Sequence, residues 1–169
     1  MREIFGKLPA IDLTDERAYN YVLLDTCFFI HTFENQKEHK LRALMEKKQL
    51  AMTSFNVEEF LLKEHVVDER VRENTRRFLK KYPEITVIHI NVMPGQREQE
   101  KNFVRTVDPE LLKEIPDASD CIIMAAAIKT CSSIMTKDKH HLFTTKLENY
   151  LTKYNLKVYK EFHDIMAEI

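Results

Sequence analysis

The chain has 169 residues, 44% of them hydrophobic and 31% charged, with a net charge of −1. That is one domain of an ordinary globular mixture, and it excludes disorder over the whole length. Gly6 and Gly95 are the only glycines, which excludes a glycine-rich phosphate loop of the P-loop or dinucleotide type. The longest apolar run, Cys121 to Ile128, falls far short of the roughly 20 residues a bilayer span requires. No signal-peptide pattern opens the sequence, and three cysteines without paired spacing point to reduced thiols. The expectation is a cytoplasmic protein with no membrane partner.

Residues 1–20 are read as an N-terminal extension and residues 21–169 as a single domain. Tyr21 to Asp25 is short and almost wholly apolar, the signature of a strand buried on both faces. Residues 27–47 have helical character, broken near Glu34 and Asn35. Leu50 to Ser54 reads as a second strand and Asn56 to Val66 as a helix. A charged helix runs from about Asp68 to Lys80 and stops before Pro83. Ile85 to Val92 is β-branched and apolar, a third strand. Met93-Pro94-Gly95 is a strong turn signal. Two helical pieces occupy 96–114, separated near Pro109, and Asp117 to Thr130 is an apolar helix. Ser133 to Thr136 is a fourth strand, 140–154 a helix, Leu156 to Tyr159 a fifth strand and 161–169 a last helix. Strands separated by helices predict a three-layer α/β/α domain around a mostly parallel sheet of four or five strands.

Ligands of such open sheets bind at the carboxyl ends of the strands. Four acids fall there: Asp25 after the first strand, Glu59 after the second, Asp120 in the first turn of the apolar helix, and Asp138 after the fourth strand. Each also has a structural reading. Asn56-Val57-Glu58-Glu59 has the form of a capping box, with Asn56 as N-cap, and Asp117-Ala118-Ser119-Asp120 can be read the same way. Asp138 could cap the helix that follows it. Together, four carboxylates on one rim repel one another, and a divalent cation resolves the repulsion. Oxygen-only ligands favour Mg²⁺ or Mn²⁺, one ion or two, over zinc.

The residues around these acids carry a family resemblance. Val22-Leu23-Leu24-Asp25-Thr26-Cys27 resembles the opening strand of PIN-domain nucleases. Ser54-Phe55-Asn56-Val57-Glu58-Glu59-Phe60-Leu61 resembles their second motif, with Glu59 in the acidic slot and Glu58 competing for it. Asp120-Cys121-Ile122-Ile123-Met124-Ala125-Ala126-Ala127 is similar to the family's Asp and alanine-rich helix. Ile134-Met135-Thr136-Lys137-Asp138 is similar to its strand ending in Thr-x-Asp.

The resemblance implies a metal-dependent endoribonuclease, with water activated by the metal attacking the phosphodiester and no side-chain nucleophile. It implies Asp25, Glu59, Asp120 and Asp138 as metal ligands and Thr136 as a group orienting a water or a ligand from behind them. Asp117 is left as a ligand, a group supporting one, or an N-cap. The implied substrate is RNA, single-stranded or structured. A homodimer is compatible with the family, as is an antitoxin or RNA-processing partner. The alternative is a PIN-like fold kept as a catalytically silent RNA-binding or protein-interaction module.

Other features have two readings each. Arg70, Arg76, Arg77 and Lys80 on one helix form either a phosphate-contacting ridge or a solvated face laced with Glu69 and Glu73. His140 and His141 are either ligands or a surface helix start. Cys27 and Cys121 are either thiol donors or small core residues. A phosphatase of the haloacid dehalogenase kind would need an acid where Cys27 stands.

Overall fold

The computed structural model describes residues 1–115, 117–137 and 151–169. In chain order these form α1 (Arg2–Gly6), β1 (Ala10–Asp12), β2 (Val22–Leu24), α2 (Thr26–Glu34), α3 (Glu38–Met45), β3 (Leu50–Thr53) and α4 (Ser54–Lys63). A 3-10 turn (Glu64–Val66), α5 (Glu69–Lys81), β4 (Thr86–His89), α6 (Arg97–Val107), α7 (Leu111–Glu114) and α8 (Ala118–Thr130) follow. The chain closes with β5 (Ser133–Met135), β6 (Val158–Tyr159) and α9 (Phe162–Met166). The expected helix over 140–154 lies almost entirely outside the described residues.

Among the described residues the sheet has six strands in the order β1-β4-β3-β2-β5-β6, every pair parallel. This is the expected three-layer α/β/α architecture with one strand more than the sequence suggested. The extra strand is β1, within residues 1–20. It pairs Ala10 with Val87 and Asp12 with His89 at the sheet edge. Three residues with only the middle one half-buried give too short a pattern to register as a strand.

Alternation along the strands divides the core in two. Leu23, Ala51, Ile88 and Ile134 face α6, α7 and α8. Val22, Leu24, Leu50, Met52 and Met135 face a layer rich in phenylalanine. There Phe29 stacks edge-on against Phe33 at 5.0 Å and Phe60 at 5.5 Å, and Phe60 meets Phe5 of α1 at 5.6 Å. The opposite layer is built on α8, nine of whose thirteen residues are buried. A helix buried all round has no polar face to keep wet, which is why the run from Cys121 to Ile128 is continuous.

Two element boundaries near the candidate site differ from the sequence reading. β4 ends at His89 rather than Val92, because the Ile90 N–H donates to Ser54 Oγ instead of to a strand, at 2.9 Å. α4 begins at Ser54, not Asn56. Its N-cap is Thr53, whose hydroxyl accepts from the Asn56 N–H at 3.0 Å. Asn56 therefore lies inside the first turn and Glu59 in the second, so the capping box is not formed.

From β2 the chain moves outward through β3 and β4 to one side, while β5 lies on the other side of β2. The strand order thus reverses between β2 and β5, the position where α/β sheets open a crevice at their carboxyl ends.

Candidate active site

Asp25 and Thr136 face each other across that reversal. Asp25 follows β2 and is the N-cap of α2, with its Oδ1 accepting from the Thr26 N–H at 2.8 Å. Thr136 follows β5, is fully buried, and donates its hydroxyl to Asp25 Oδ2 at 2.6 Å. The Cys27 thiol donates to the same oxygen at 3.3 Å. Burial, then the charge of Asp25, pushes that thiol up to about 11, so it stays protonated at neutral pH.

Glu59 joins Asp25 through a side chain that the sequence reading assigned to capping. The buried Asn56 amide donates from Nδ2 to Asp25 Oδ1 at 3.2 Å and to Glu59 Oε1 at 3.0 Å. Its own Oδ1 accepts from the Thr53 hydroxyl at 2.7 Å, which turns the amide N–H groups toward the two acids. Thr26 Oγ1 reaches Glu59 Oε1 at 3.1 Å and the Asn56 carbonyl at 3.0 Å. Desolvation, then the charge of Asp25, raises the Glu59 carboxyl to about 7. Its second oxygen, Oε2, accepts no hydrogen bond from a described residue and is not sealed from solvent.

Glu58 points elsewhere. It forms a two-pronged pair with Arg2, at 2.6 and 3.0 Å. Adjacent residues of a helix diverge by about 100°, so Glu59 faces Asp25 while Glu58 faces α1.

Asp120 is half-buried in the first turn of α8. Asp117 is exposed and caps that helix, accepting from the Ser119 N–H at 2.9 Å. Burial, then the charges of Asp120 and Asp117, raises the Cys121 thiol to about 12. Cys121 is a core residue, its thiol donating to the Ile115 carbonyl at 3.1 Å. Asp138, His140 and His141 lie outside the described residues. Among the described residues, no three His, Cys, Asp or Glu side chains form a group able to hold a metal ion.

The basic residues of α5 differ in their surroundings. Arg70, Arg77 and Lys80 are exposed, and Arg76 pairs with Glu73 at 2.7 Å. Arg77 lines a shallow groove with Gln36 and Glu38, past the end of α2 opposite Asp25. Phe55 is wholly buried in the core.

Asn56 is the residue that sequence reasoning missed. Its signal was available in Thr53-Ser54, a Thr that can cap three residues before Asn56. No helix among the described residues is long and apolar enough to cross a membrane.

No curated protein matches the chain. A family model described as the PIN domain matches residues 22–145. The match opens on the first residue of β2 and takes in Asp25, Glu59, Asp120, Thr136 and Asp138. The chain belongs to the PIN domain family, whose fold is of the nuclease type.

Proposed function

We propose that this protein is a Mg²⁺- or Mn²⁺-dependent endoribonuclease, with Asp25, Glu59, Asp120 and Asp138 holding the cation. The observation that carries this reading is the Asp25–Glu59 pair. Two carboxylates share one buried amide at the strand reversal, and burial, then the charge of Asp25, raises the pKa of Glu59 to about 7. The donor set fits a hard cation. It offers carboxylate oxygens, and Glu59 Oε2 is open on a largely buried side chain. When bound, such an ion neutralises phosphate charge and lowers the pKa of water.

The chain's own residues do the positioning. Thr136, Asn56 and the Thr26 N–H fix both oxygens of Asp25. Asn56 and Thr26 fix Oε1 of Glu59 and leave Oε2 without a hydrogen bond from a described residue. The Cys27 thiol, pushed up to about 11 by burial and then by the charge of Asp25, is not a thiolate at neutral pH. In this reading the attacking group is water, as the family resemblance implies. Arg70, Arg77 and Lys80 offer exposed charge to an RNA backbone.

The test is cleavage of labelled single-stranded RNA with Mn²⁺, Mg²⁺ or EDTA, for wild type, Asp25→Asn and Asp120→Asn. The expected result is metal-dependent cutting by wild type that both substitutions abolish. Cutting that survives both would refute this site. No cutting, with no Mn²⁺-induced thermal stabilisation of wild type, would move the protein to the silent-module reading.

A further inference from the structure

One buried acid is used by nothing described so far. Glu100, on α6, is completely buried. Its two oxygens meet neutral donors only: Oε1 accepts from the Ser119 hydroxyl at 2.6 Å, and Oε2 accepts from the Gly95 N–H at 3.1 Å. Among the described residues no cation pairs with it. A carboxylate taken out of water with two neutral partners is an expensive way to hold two segments together. An apolar side chain at this position would pack without that cost. The contacts themselves therefore have to matter.

Those contacts join the site's two sides. Ser119 precedes Asp120 in the first turn of α8. Gly95 ends the Met93-Pro94-Gly95 turn and has φ +92°, a backbone geometry that glycine adopts freely. The same connection is held at its start by Ser54, the first residue of α4. Its hydroxyl accepts from the Ile90 N–H and donates to the Ile90 carbonyl. Residues 90–95 are thus pinned at one end to the helix of Glu59 and at the other, through Glu100, to the helix of Asp120.

We propose that Glu100 is a positioning residue for Asp120. It fixes the first turn of α8 on the β4–α6 connection, and so sets Asp120 relative to Asp25 and Glu59. This rests on Asp120 belonging to the cation-holding set proposed above. The first turn of α8 needs such a pin because Ser119 and Asp120 are only half-buried, and the large apolar side chains of the helix, Ile122, Ile123 and Met124, come after that turn, followed by Ala125, Ala126 and Ala127. Small residues allow close approach but do not lock rotation or sliding as interdigitated large side chains do.

The test compares wild type, Ser119→Ala, Glu100→Ala and Glu100→Gln in two measurements. The first is amide hydrogen exchange over residues 118–122 and at Gly95, in metal-free protein. The second is Mn²⁺ affinity, from electron paramagnetic resonance of the free ion. In Ser119→Ala and Glu100→Ala, exchange over 118–122 rises about tenfold, the scale of one lost buried hydrogen bond, while the β2 amides keep their rates. Mn²⁺ affinity falls by about 10- to 100-fold, as when an outer partner of a metal ligand is removed. Glu100→Gln restores both, since its amide can donate to Ser119 and its carbonyl can accept from Gly95.

Unchanged exchange over 118–122 in Ser119→Ala overturns the latch, even if Glu100→Ala fails to fold. Faster exchange with undiminished Mn²⁺ affinity overturns the role in positioning Asp120. A wild type that binds no Mn²⁺ sinks the nuclease reading itself, and the role of Glu100 with it. The wild-type titration alone distinguishes that outcome from failure of the latch.

Discussion

The candidate site has two sides that solve one problem by different means. On the α2 and α4 side, Asp25 and Glu59 are tied to each other through Asn56 and Thr26. Behind them stand the interlocked rings of Phe5, Phe29, Phe33 and Phe60. On the α8 side, Asp120 rides on a helix whose buried face runs through Ala125, Ala126 and Ala127. Its first turn is held by the Asp117 cap and by Glu100. Large rings fix an element by shape, because each fits only one hollow. Small residues fix only a distance of approach, so orientation has to come from hydrogen bonds. The first side adds ring packing to its polar ties, while the second, with Ile122, Ile123 and Met124 packed in the core behind it, relies on polar contacts for the turn that carries Asp120.

The sharpest way to break this contrast is through Phe60, next to Glu59 in sequence and fully buried. Phe60→Ala should cost about 3–5 kcal/mol, since a ring lost from an interlocked cluster leaves a cavity that its neighbours fill poorly. No side chain in the alanine run of α8 has comparable mass to remove. Ala126→Gly there should cost about 1–2 kcal/mol, the backbone term plus one buried methyl. Urea unfolding of the two variants gives the comparison directly. Equal losses would show that both sides are held in the same way.

The next largest effect belongs to Asn56. Asn56→Ala removes the amide between the two acids and leaves each facing the other unscreened. Mn²⁺ affinity and RNA cleavage should both fall about 10- to 100-fold. Asn56→Asp should be at least as damaging, because it adds a third carboxylate where the amide N–H groups point. A variant with wild-type Mn²⁺ affinity would show that the bridge is not what organises this side.

The two sides were not equally readable in the sequence. Asp25 stood out because a carboxylate after Val22-Leu23-Leu24 has to be at the end of a buried strand. The α8 helix stood out because thirteen residues with so little charge have to be buried. The Asn56 bridge was hidden by a shift of two residues in the start of α4. Asn56-Val57-Glu58-Glu59 has the letters of a capping box, and only the Thr53 hydroxyl on the Asn56 N–H shows where the helix begins. β1 escaped because three residues cannot show a period, and its pairing with β4 is a contact across more than 70 positions. Glu100 was invisible for a related reason. It sits in the charged stretch Arg97-Glu98-Gln99-Glu100-Lys101, where nothing local marks one acid as buried.

A pH titration sharpens the comparison without disturbing packing. Glu59 is raised from an ordinary value of 4.5 to about 7 by burial and by Asp25. Between those values the folded chain carries a proton that the unfolded chain has lost. Its contribution to stability is complete below about 4.5 and is lost as pH rises through about 7. Glu59→Gln is neutral throughout and lacks this loss. Without divalent ions, the Tm of wild type relative to Glu59→Gln should fall between about pH 5 and pH 8, and a flat difference would refute the raised value. Added Mn²⁺ should offset the fall at the alkaline end, because a cation competes with the proton for the same oxygens.

The smallest effect is expected one residue away. Glu58→Gln breaks the charge pairing with Arg2, whose side chain is 70% exposed. Exposed pairs of this kind often contribute nothing measurable, since water and salt screen them and two long side chains must be held still. Cleavage and Mn²⁺ affinity should match wild type, and any change in Tm should shrink further as salt is added. The two glutamates have the same chemistry and adjacent positions, so they separate direction from composition. Their helix turns one onto the solvated contact with α1 and the other onto the buried amide beside Asp25. If Glu58→Gln lowered Mn²⁺ affinity as Glu59→Gln does, the about 100° between neighbouring side chains would not be what selects the ligand.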